Sequence, residues 1–129
     1  MKKVLIAVMI GIAMSLTGCM STPSATQLSN AYYGELPTIY KEQIQNSIGD
    51  GLKDPDSAKY KFGEPKKAYL QGGLSDNFKM HYGWVVPVSV NAKNSYGAYV
   101  GYKTQYYMFV DGQMIDATLK FNSGYAKAI

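Results

Sequence analysis

The sequence predicts an α+β domain in which an N-terminal helix packs on a small antiparallel β-sheet. Apolar residues recur at a spacing of four across residues 38–53, as they do along one face of a helix. Apolar and polar residues alternate across residues 80–91, and Asp111-Gly112 separates two more alternating runs. Helical periodicity that gives way to strand periodicity is typical of a helix segregated to one side of a sheet.

The chain begins with the features of a secretion signal. Lys2 and Lys3 precede an apolar stretch over residues 4–16. As a helix this stretch is roughly 20 Å long, too short for a hydrocarbon core of about 30 Å. It ends in Leu16-Thr17-Gly18-Cys19, which resembles the lipobox of bacterial lipoprotein signals. The alternative is an ordinary signal with a coincidental cysteine.

The lipobox resemblance implies cleavage after residue 18 and a diacylglycerol group on the thiol of Cys19. Two or three acyl chains would anchor the chain stably in a membrane. Met20 follows the cysteine, where an Asp would resemble an inner-membrane retention signal, so we expect the periplasmic face of the outer membrane. Residues 19–31 are rich in Ser and Thr and predict a flexible tether. A single domain is expected over residues 32–129.

Composition excludes several classes of function. All 13 cationic residues are Lys, so the planar guanidinium that reads phosphates and guanine bases is absent, and no nucleic-acid partner is expected. Lys2 and Lys3 belong to the signal, which leaves the mature side chains nearly neutral. Cys19 is the single cysteine, so an intramolecular disulfide or a cysteine zinc cluster cannot form. We expect no metal and no cofactor beyond the covalent lipid.

The first elements of the domain are predicted from periodicity and from helix-breaking residues. The apolar stripe predicts a helix over residues 38–53, whose end is weakened by two glycines and stopped by Asp54-Pro55. Residues 54–57 predict a tight turn or one short helical turn. Alternation then predicts a short strand over residues 58–62, with lysines on its wet face, and a further strand over residues 67–71.

The clearest strand prediction covers residues 80–91. Six apolar side chains share one face, and His81, Gly83, Pro87, Ser89 and Asn91 largely occupy the other face. Proline has no N–H for a sheet ladder, so Pro87 predicts an edge strand or a bulge.

Asp111-Gly112 predicts a two-residue hairpin between strands at residues 100–110 and 113–119. This turn pairs Val110 with Gln113, and the register then continues as Met108 with Ile115, Tyr106 with Ala117, and Thr104 with Leu119. Residues 121–129 are predicted to form a loose tail.

Two stretches of the chain resemble small, uncharacterised bacterial envelope domains. Residues 52–60 read LKDPDSAKY and residues 90–101 read VNAKNSYGAYVG, close to the pattern LKDPDSAKF followed by VNAKNSYGGYTG. Members of that group often carry Cys-Gly shortly before the Val-Asn, where this chain has Pro87-Val88, and Ala98 replaces their second glycine. The resemblance implies an envelope location and no particular activity.

The second motif supplies the candidate partner-binding residues. Its Asn and Ser side chains can bond a turning backbone and its glycine permits a positive φ, so one interpretation is a structured loop between strands. The other interpretation is a surface for a ligand or a partner. The candidate residues are Asn91, Lys93, Asn94, Tyr96 and Gly97.

The many tyrosines offer a second possible source of an interaction surface, because tyrosine combines a large ring with a hydroxyl. Alternation predicts that Tyr82, Tyr102 and Tyr106 pack in the domain. The other group is expected to be exposed: Tyr32, Tyr33, Tyr96, Tyr99, Tyr107 and Tyr125.

Three classes of function follow. The first is a non-catalytic, membrane-anchored envelope lipoprotein that binds or stabilises an envelope protein or peptidoglycan. The second is a small inhibitor or exclusion lipoprotein that acts against a wall-degrading enzyme or a phage, which predicts a protruding loop. The third is a hydrolase that uses His81, the single histidine, although no GxSxG motif accompanies it. We expect no catalytic residue and favour the first class.

Overall fold

The computed structural model describes residues 20–129, so the predicted signal and Cys19 lie outside the described residues. The helices are α1 (Ala25–Asn30), α2 (Tyr40–Asp50) and α3 (Thr118–Asn122). The strands are β1 (Lys59–Phe62), β2 (Lys66–Gln71), β3 (Met80–Asn91), β4 (Lys103–Val110), β5 (Gln113–Asp116) and β6 (Ala126–Ala128). Within this part of the chain, no helix is both long enough and apolar enough to cross a membrane.

The described strands form one antiparallel sheet of six strands, which confirms the α+β class. The order is β5-β4-β3-β2-β6, and β1 pairs with the other half of β3 on the same side as β2. Strand β3 has the bounds that the alternation predicts. The strands expected at residues 58–62 and 67–71 are confirmed to within one residue at each end.

The first face of the sheet carries the larger apolar cluster. Val86, Val88 and Phe109 of the sheet are buried together with Ile44 and Ile48 of α2. The predicted spacing of four therefore marks the buried side of the helix correctly. Helix α2 is shorter than predicted because Pro37 to Ile39 form a turn before it and Gly51 ends it.

A helix on one side of the sheet would bury a single face, but each face of this sheet carries a buried cluster. A second apolar cluster on the opposite face contains Val85, Met108 and Ala126, with Phe121 packed against it. Phe121 and Ala126 belong to the segment predicted to be a loose tail, but this prediction is wrong: β6 pairs with β2 and forms this edge of the sheet. Alternation identified which residues share a face, and the C-terminal segment buries part of the second face.

Pro87 lies in the central strand, not in an edge strand. It pairs with Tyr106 on one side, and on the other side its carbonyl accepts a hydrogen bond of 2.8 Å from the N–H of Gly63. Gly63 lies in the break between β1 and β2, so the side of Pro87 that lacks a donor faces an interruption of the neighbouring strand. This gap accommodates the missing N–H of Pro87, as an edge strand or a bulge would.

The predicted hairpin register is confirmed for its first two pairs, Val110 with Gln113 and Met108 with Ile115. The pairing of Thr104 with Leu119 is wrong, because β5 ends at Asp116 and Leu119 lies exposed in α3. The hydroxyl of Thr118 donates to the Asp116 carboxylate at 2.7 Å and accepts from the N–H of Tyr106 at 3.0 Å. The Thr118 side chain thus replaces the next backbone hydrogen bond of the β-ladder. The chain then continues as helix α3.

The segment predicted to be a flexible tether contains regular structure. Ser24 and Gln27 cap helix α1 reciprocally, because each side chain accepts a hydrogen bond from the backbone N–H of the other. Beyond the helix, the Tyr33 hydroxyl donates to the carbonyl of Leu28 at 2.6 Å. The segment before residue 32 is therefore attached to the domain.

Candidate functional site

The loop between β3 and β4 contains the residues that the sequence singled out. Lys93 and Tyr99 form an isolated antiparallel bridge at its base. Above the bridge, the N–H of Asn94 donates to the carbonyl of Ala98 at 2.9 Å, and the N–H of Gly97 donates to the carbonyl of Asn94 at 3.0 Å. Gly97 has a φ of 78°, a conformation that favours glycine. The loop is a short, internally bonded turn.

The side chains of both predicted asparagines bond the backbone of this loop. Oδ1 of Asn94 accepts hydrogen bonds from the N–H groups of Tyr96, at 2.9 Å, and Ala98, at 3.2 Å. Oδ1 of Asn91 accepts from the N–H of Gly101 at 3.0 Å. Asn91, Asn94 and Gly97 therefore shape the turn, as the structural interpretation of the motif predicts.

The two motifs that carry the family resemblance meet at Ser57. Its hydroxyl donates to the carbonyl of Asp54 at 2.7 Å and accepts from the N–H of Lys93 at 2.9 Å. The carbonyl of Ser57 accepts from the Tyr99 hydroxyl at 3.0 Å. The sequence predicted only a helix-stopping turn at residues 54–57, so this contact between distant motifs is new information from the tertiary structure.

Tyrosine and lysine side chains lie together beside this turn. The Nζ atom of Lys59 is 4.5 Å from the ring centroid of Tyr99, and that of Lys93 is 5.5 Å from the same ring. The Nζ atom of Lys61 is 4.1 Å from the ring centroid of Tyr102. These distances are within the range of cation–π attraction. We call this group the lysine–tyrosine surface: Lys59, Lys61, Lys93, Tyr96, Tyr99 and Tyr102.

Alternation along β1 explains how the lysines reach this surface. Tyr60 and Phe62 pack against the first apolar cluster, so Lys59 and Lys61 point to the opposite face of the sheet. Charged side chains on β1 also discourage pairing of its free edge with another chain. The alternation predicts the wet face of β1, but no local pattern brings Lys59 or Lys61 to the candidate loop.

The lysine–tyrosine surface is positively charged. Within the part of the chain that the structure describes, Lys59, Lys61 and Lys93 have no carboxylate oxygen within 4.0 Å. Tyr96 is 93% exposed at the tip of the loop, and Tyr99 and Tyr102 are also exposed. The surface thus offers aromatic rings together with ammonium groups that are not neutralised by the fold.

An open groove lies on the same face of the sheet as Lys59 and Lys61. It has a volume of about 460 Å³, and Lys66 and Lys127 lie on its rim. Its apolar lining includes Val85, Pro87 and Tyr106. The ring of Tyr106 stacks on that of Phe121, with 4.8 Å between the ring centroids. Like the lysine–tyrosine surface, the groove combines rings or apolar side chains with lysines.

The predictions of tyrosine exposure are partly correct. Tyr32, Tyr96 and Tyr99 are exposed as expected, whereas Tyr33 and Tyr107 are buried. Burial raises the pKa of both buried phenols above the usual value of 10.0. Tyr102 was expected to pack but is exposed, because β4 begins only at Lys103 and leaves this residue outside the ladder.

His81 interacts with an acid rather than facing solvent alone. Its Nε2 atom is 2.7 Å from Oδ2 of Asp76. The hydrogen bond from His81 lowers the pKa of the Asp76 carboxyl below its usual value of 3.8. Gly72 makes room for this carboxylate, because a Cβ atom there would lie 2.0 Å from Oδ2. The pair joins the start of β3 to the preceding loop.

The structure gives no geometry for Cys19, which lies outside the described residues. Among residues 20–129 there is no group of three or more His, Cys, Asp or Glu side chains arranged to hold a metal ion. The described chain begins at Met20, whose side chain lies near Gly124. The predicted lipidation site therefore immediately precedes a residue that is in contact with the domain.

Comparison with protein-family models, with curated proteins and with solved structures finds no match to this chain. The lysine–tyrosine surface and the N-terminal motif are therefore the basis for inferring its function.

Proposed function

We propose that this protein is a non-catalytic lipoprotein of the cell envelope whose domain binds another envelope component through the lysine–tyrosine surface. Cys19 would carry the covalent lipid and hold the domain at the periplasmic face of the outer membrane. The observation that supports binding is the grouping of three exposed tyrosines with three lysines that lack carboxylate partners in the described chain.

The chemistry of this surface favours a partner with flat or apolar groups and carboxylates. A tyrosine ring supplies contact area and its hydroxyl supplies a hydrogen bond, while each ammonium supplies three donors. Peptidoglycan presents sugar rings and peptide carboxylates, and an acidic patch on an envelope protein presents the same charges. Membrane attachment raises the effective concentration of the domain, so a weak interface is sufficient.

We further propose that α2 acts as a cover for the first face of the sheet. Ile44 and Ile48 share the apolar cluster of that face. The C-terminal segment covers only part of the opposite face, so the groove and the lysine–tyrosine surface on that face stay open to a partner.

Photo-crosslinking in intact cells tests this proposal. A photoreactive residue replaces Ser95, which is exposed in the loop, and mass spectrometry identifies what is captured. We expect a specific partner that is lost in the Tyr96→Ala variant and retained in Tyr32→Ala, because Tyr32 is 77% exposed outside the surface. Equal capture by both variants would contradict a role for the lysine–tyrosine surface.

Two further comparisons identify the kind of partner and the role of the anchor. Sedimentation with purified peptidoglycan separates a wall ligand from a protein ligand, and Lys59→Gln with Lys61→Gln should weaken either interaction. Cys19→Ala should reduce capture in cells without changing the affinity of the purified domain. An unchanged yield in cells, with an unmodified cysteine in the wild type, would contradict the lipid anchor.

The inhibitor class remains a second candidate because it predicts a protruding loop. Tyr96, at the tip of the β3–β4 loop, is 93% exposed. A direct test adds the purified protein to a muramidase and measures wall hydrolysis. Inhibition that disappears in Tyr96→Ala but not in Tyr32→Ala would favour this candidate over passive binding.

A further inference from the structure

The N-terminal segment is attached to the sheet within two residues of Cys19. The N–H of Ser21 donates to Oε1 of Gln71 at 3.0 Å, and Gln71 is only 2% exposed at the end of β2. Pro23, two residues further on, is buried as well. The described chain therefore starts, one residue after Cys19, beside this end of the sheet.

Exposed apolar side chains lie at the same end. Met20 is 52% exposed, and the loop before β3 presents Leu74, which is 78% exposed, and Phe78, which is 43% exposed. Ser21 and Phe78 line one hollow of about 220 Å³, so the loop and the N-terminal segment are neighbours. We call these three apolar residues, Met20, Leu74 and Phe78, the apolar patch.

The conformation of the loop keeps Phe78 outside the core at a cost. Asn77 and Phe78 have φ values of 56° and 57°, and a left-handed conformation is unusual for a bulky residue such as Phe. The hydrogen bond between Asp76 and His81 ties the loop to β3, and the N–H of Phe78 donates to the carbonyl of Gly73 at 2.9 Å. The loop is thus a braced, strained turn that presents apolar side chains to its surroundings.

We propose that Leu74 and Phe78 insert into the interfacial region of the bilayer that holds the lipid of Cys19. This inference rests on the lipid anchor of the proposed function. The bilayer is the occupant that the position of the chain favours, because acyl chains on Cys19 would enter the membrane beside the apolar patch. The exposed Lys79 next to the patch supplies a cation for anionic headgroups.

This seating would orient the whole domain. Strand β3 starts at Met80, directly after the patch, and ends at Asn91, where the candidate loop begins. A strand of 12 residues spans roughly 40 Å at about 3.3 Å per residue. With the patch in the membrane, the lysine–tyrosine surface is held at the end of the domain that points away from it.

Site-specific labelling of the full lipidated protein tests the orientation. Leu74→Cys and, as the matched control, Ser95→Cys each introduce the single free thiol, because the thiol of Cys19 is consumed by the lipid. Each variant receives an environment-sensitive fluorophore and is reconstituted into vesicles of phosphatidylethanolamine and phosphatidylglycerol. We expect an aqueous quencher to act on position 74 about threefold less than on position 95, and equally on both in detergent-free soluble protein with Cys19→Ala.

The result separates this inference from the lipid anchor itself. Mass spectrometry of the purified protein reports whether Cys19 carries lipid. If it does and both labels are quenched equally in vesicles, the apolar patch does not insert and the inference is wrong, while the anchor stands. If the label at position 74 is protected from the quencher in cells but not in protein-free vesicles, a protein covers the patch. That outcome also overturns the inference. The Phe78→Cys variant is labelled and measured in parallel. A blue shift of its fluorophore emission, together with protection from the quencher, would show that the result does not come from replacing Leu74 alone.

Discussion

The hydroxyl of Ser57 accepts a hydrogen bond of 2.9 Å from the backbone N–H of Lys93, and so joins the turn after α2 to the loop after β3. The carbonyl of the same serine accepts from the Tyr99 hydroxyl. Ser57 thereby fixes the ring of Tyr99, over which Lys59 and Lys93 lie. The lysine–tyrosine surface depends on this small polar contact between distant segments.

Ser57→Ala should destabilise the domain by about 1–2 kcal/mol, because it leaves the half-buried N–H of Lys93 without its acceptor. Equilibrium unfolding in urea measures the change. The control is Ser95→Ala, an exposed serine of the same loop, which should stay within about 0.5 kcal/mol of wild type. Equal stability of both variants would show that the contact contributes nothing.

Asn94 and Tyr96 should separate into a structural and a surface residue. Asn94→Ala removes the acceptor of two loop N–H groups and should cost about 1 kcal/mol, with faster hydrogen exchange at Tyr96 and Ala98. Tyr96→Ala should leave stability within about 0.5 kcal/mol, because the ring is 93% exposed. A destabilised Tyr96→Ala would instead assign the ring a packing role and remove the reason to use it as a binding probe.

The pair of Asp76 and His81 predicts a pH dependence of the loop before β3. The pKa of Asp76 is below 3.8 in the folded protein, so the pair contributes stability above the unfolded pKa and loses it as the pH falls through the folded pKa. NMR titration of the carboxyl carbon of Asp76 should give a midpoint below 3.8, and His81→Ala should raise that midpoint. A midpoint that does not respond to His81→Ala would mean that another group sets it.

Gly83→Ala should destabilise the sheet by about 2 kcal/mol or more, because a Cβ atom there would lie 2.1 Å from the carbonyl oxygen of Phe109 in β4. Thermal unfolding should show the midpoint lowered by about 4–8 °C for each kcal/mol. Gly73→Ala is the matched control, since no atom lies within 4 Å of its added Cβ. A similar midpoint for the two variants would show that β4 moves away without cost.

The strongest local patterns predicted their elements well. Strand β3 has the predicted bounds, and Asp111-Gly112 forms the predicted hairpin with Val110 opposite Gln113. Both patterns arise from residues that are close together in the sequence, so long-range contacts do not change the elements that they predict. The prediction failed at Leu119, where a hydrogen bond between Thr118 and the backbone of Tyr106 ends the strand. Alternation could not report this competition, because it concerns residues twelve positions apart.

The candidate site could be predicted only in part. The sequence predicts that Asn91, Asn94 and Gly97 belong to a loop, and in the structure their side chains or dihedral angles shape it. It missed Lys59 and Lys61, although their wet face on β1 was foreseen. Nothing in local periodicity says which loop a strand will lie beside, because strand pairing is decided by contacts across the whole sheet.

Local residue patterns are enough to predict the helix around Ile44 and Ile48, the alternation of β3, and the turn at Asp111-Gly112. These follow from side-chain periodicity and from the dihedral preferences of a few residues. Only tertiary contacts show that each face of the sheet carries a buried cluster, that Ser57 meets Lys93, and that Ser21 is held by Gln71. Such contacts join residues dozens of positions apart, so they depend on which segments displace water from each other, and no local pattern encodes that choice.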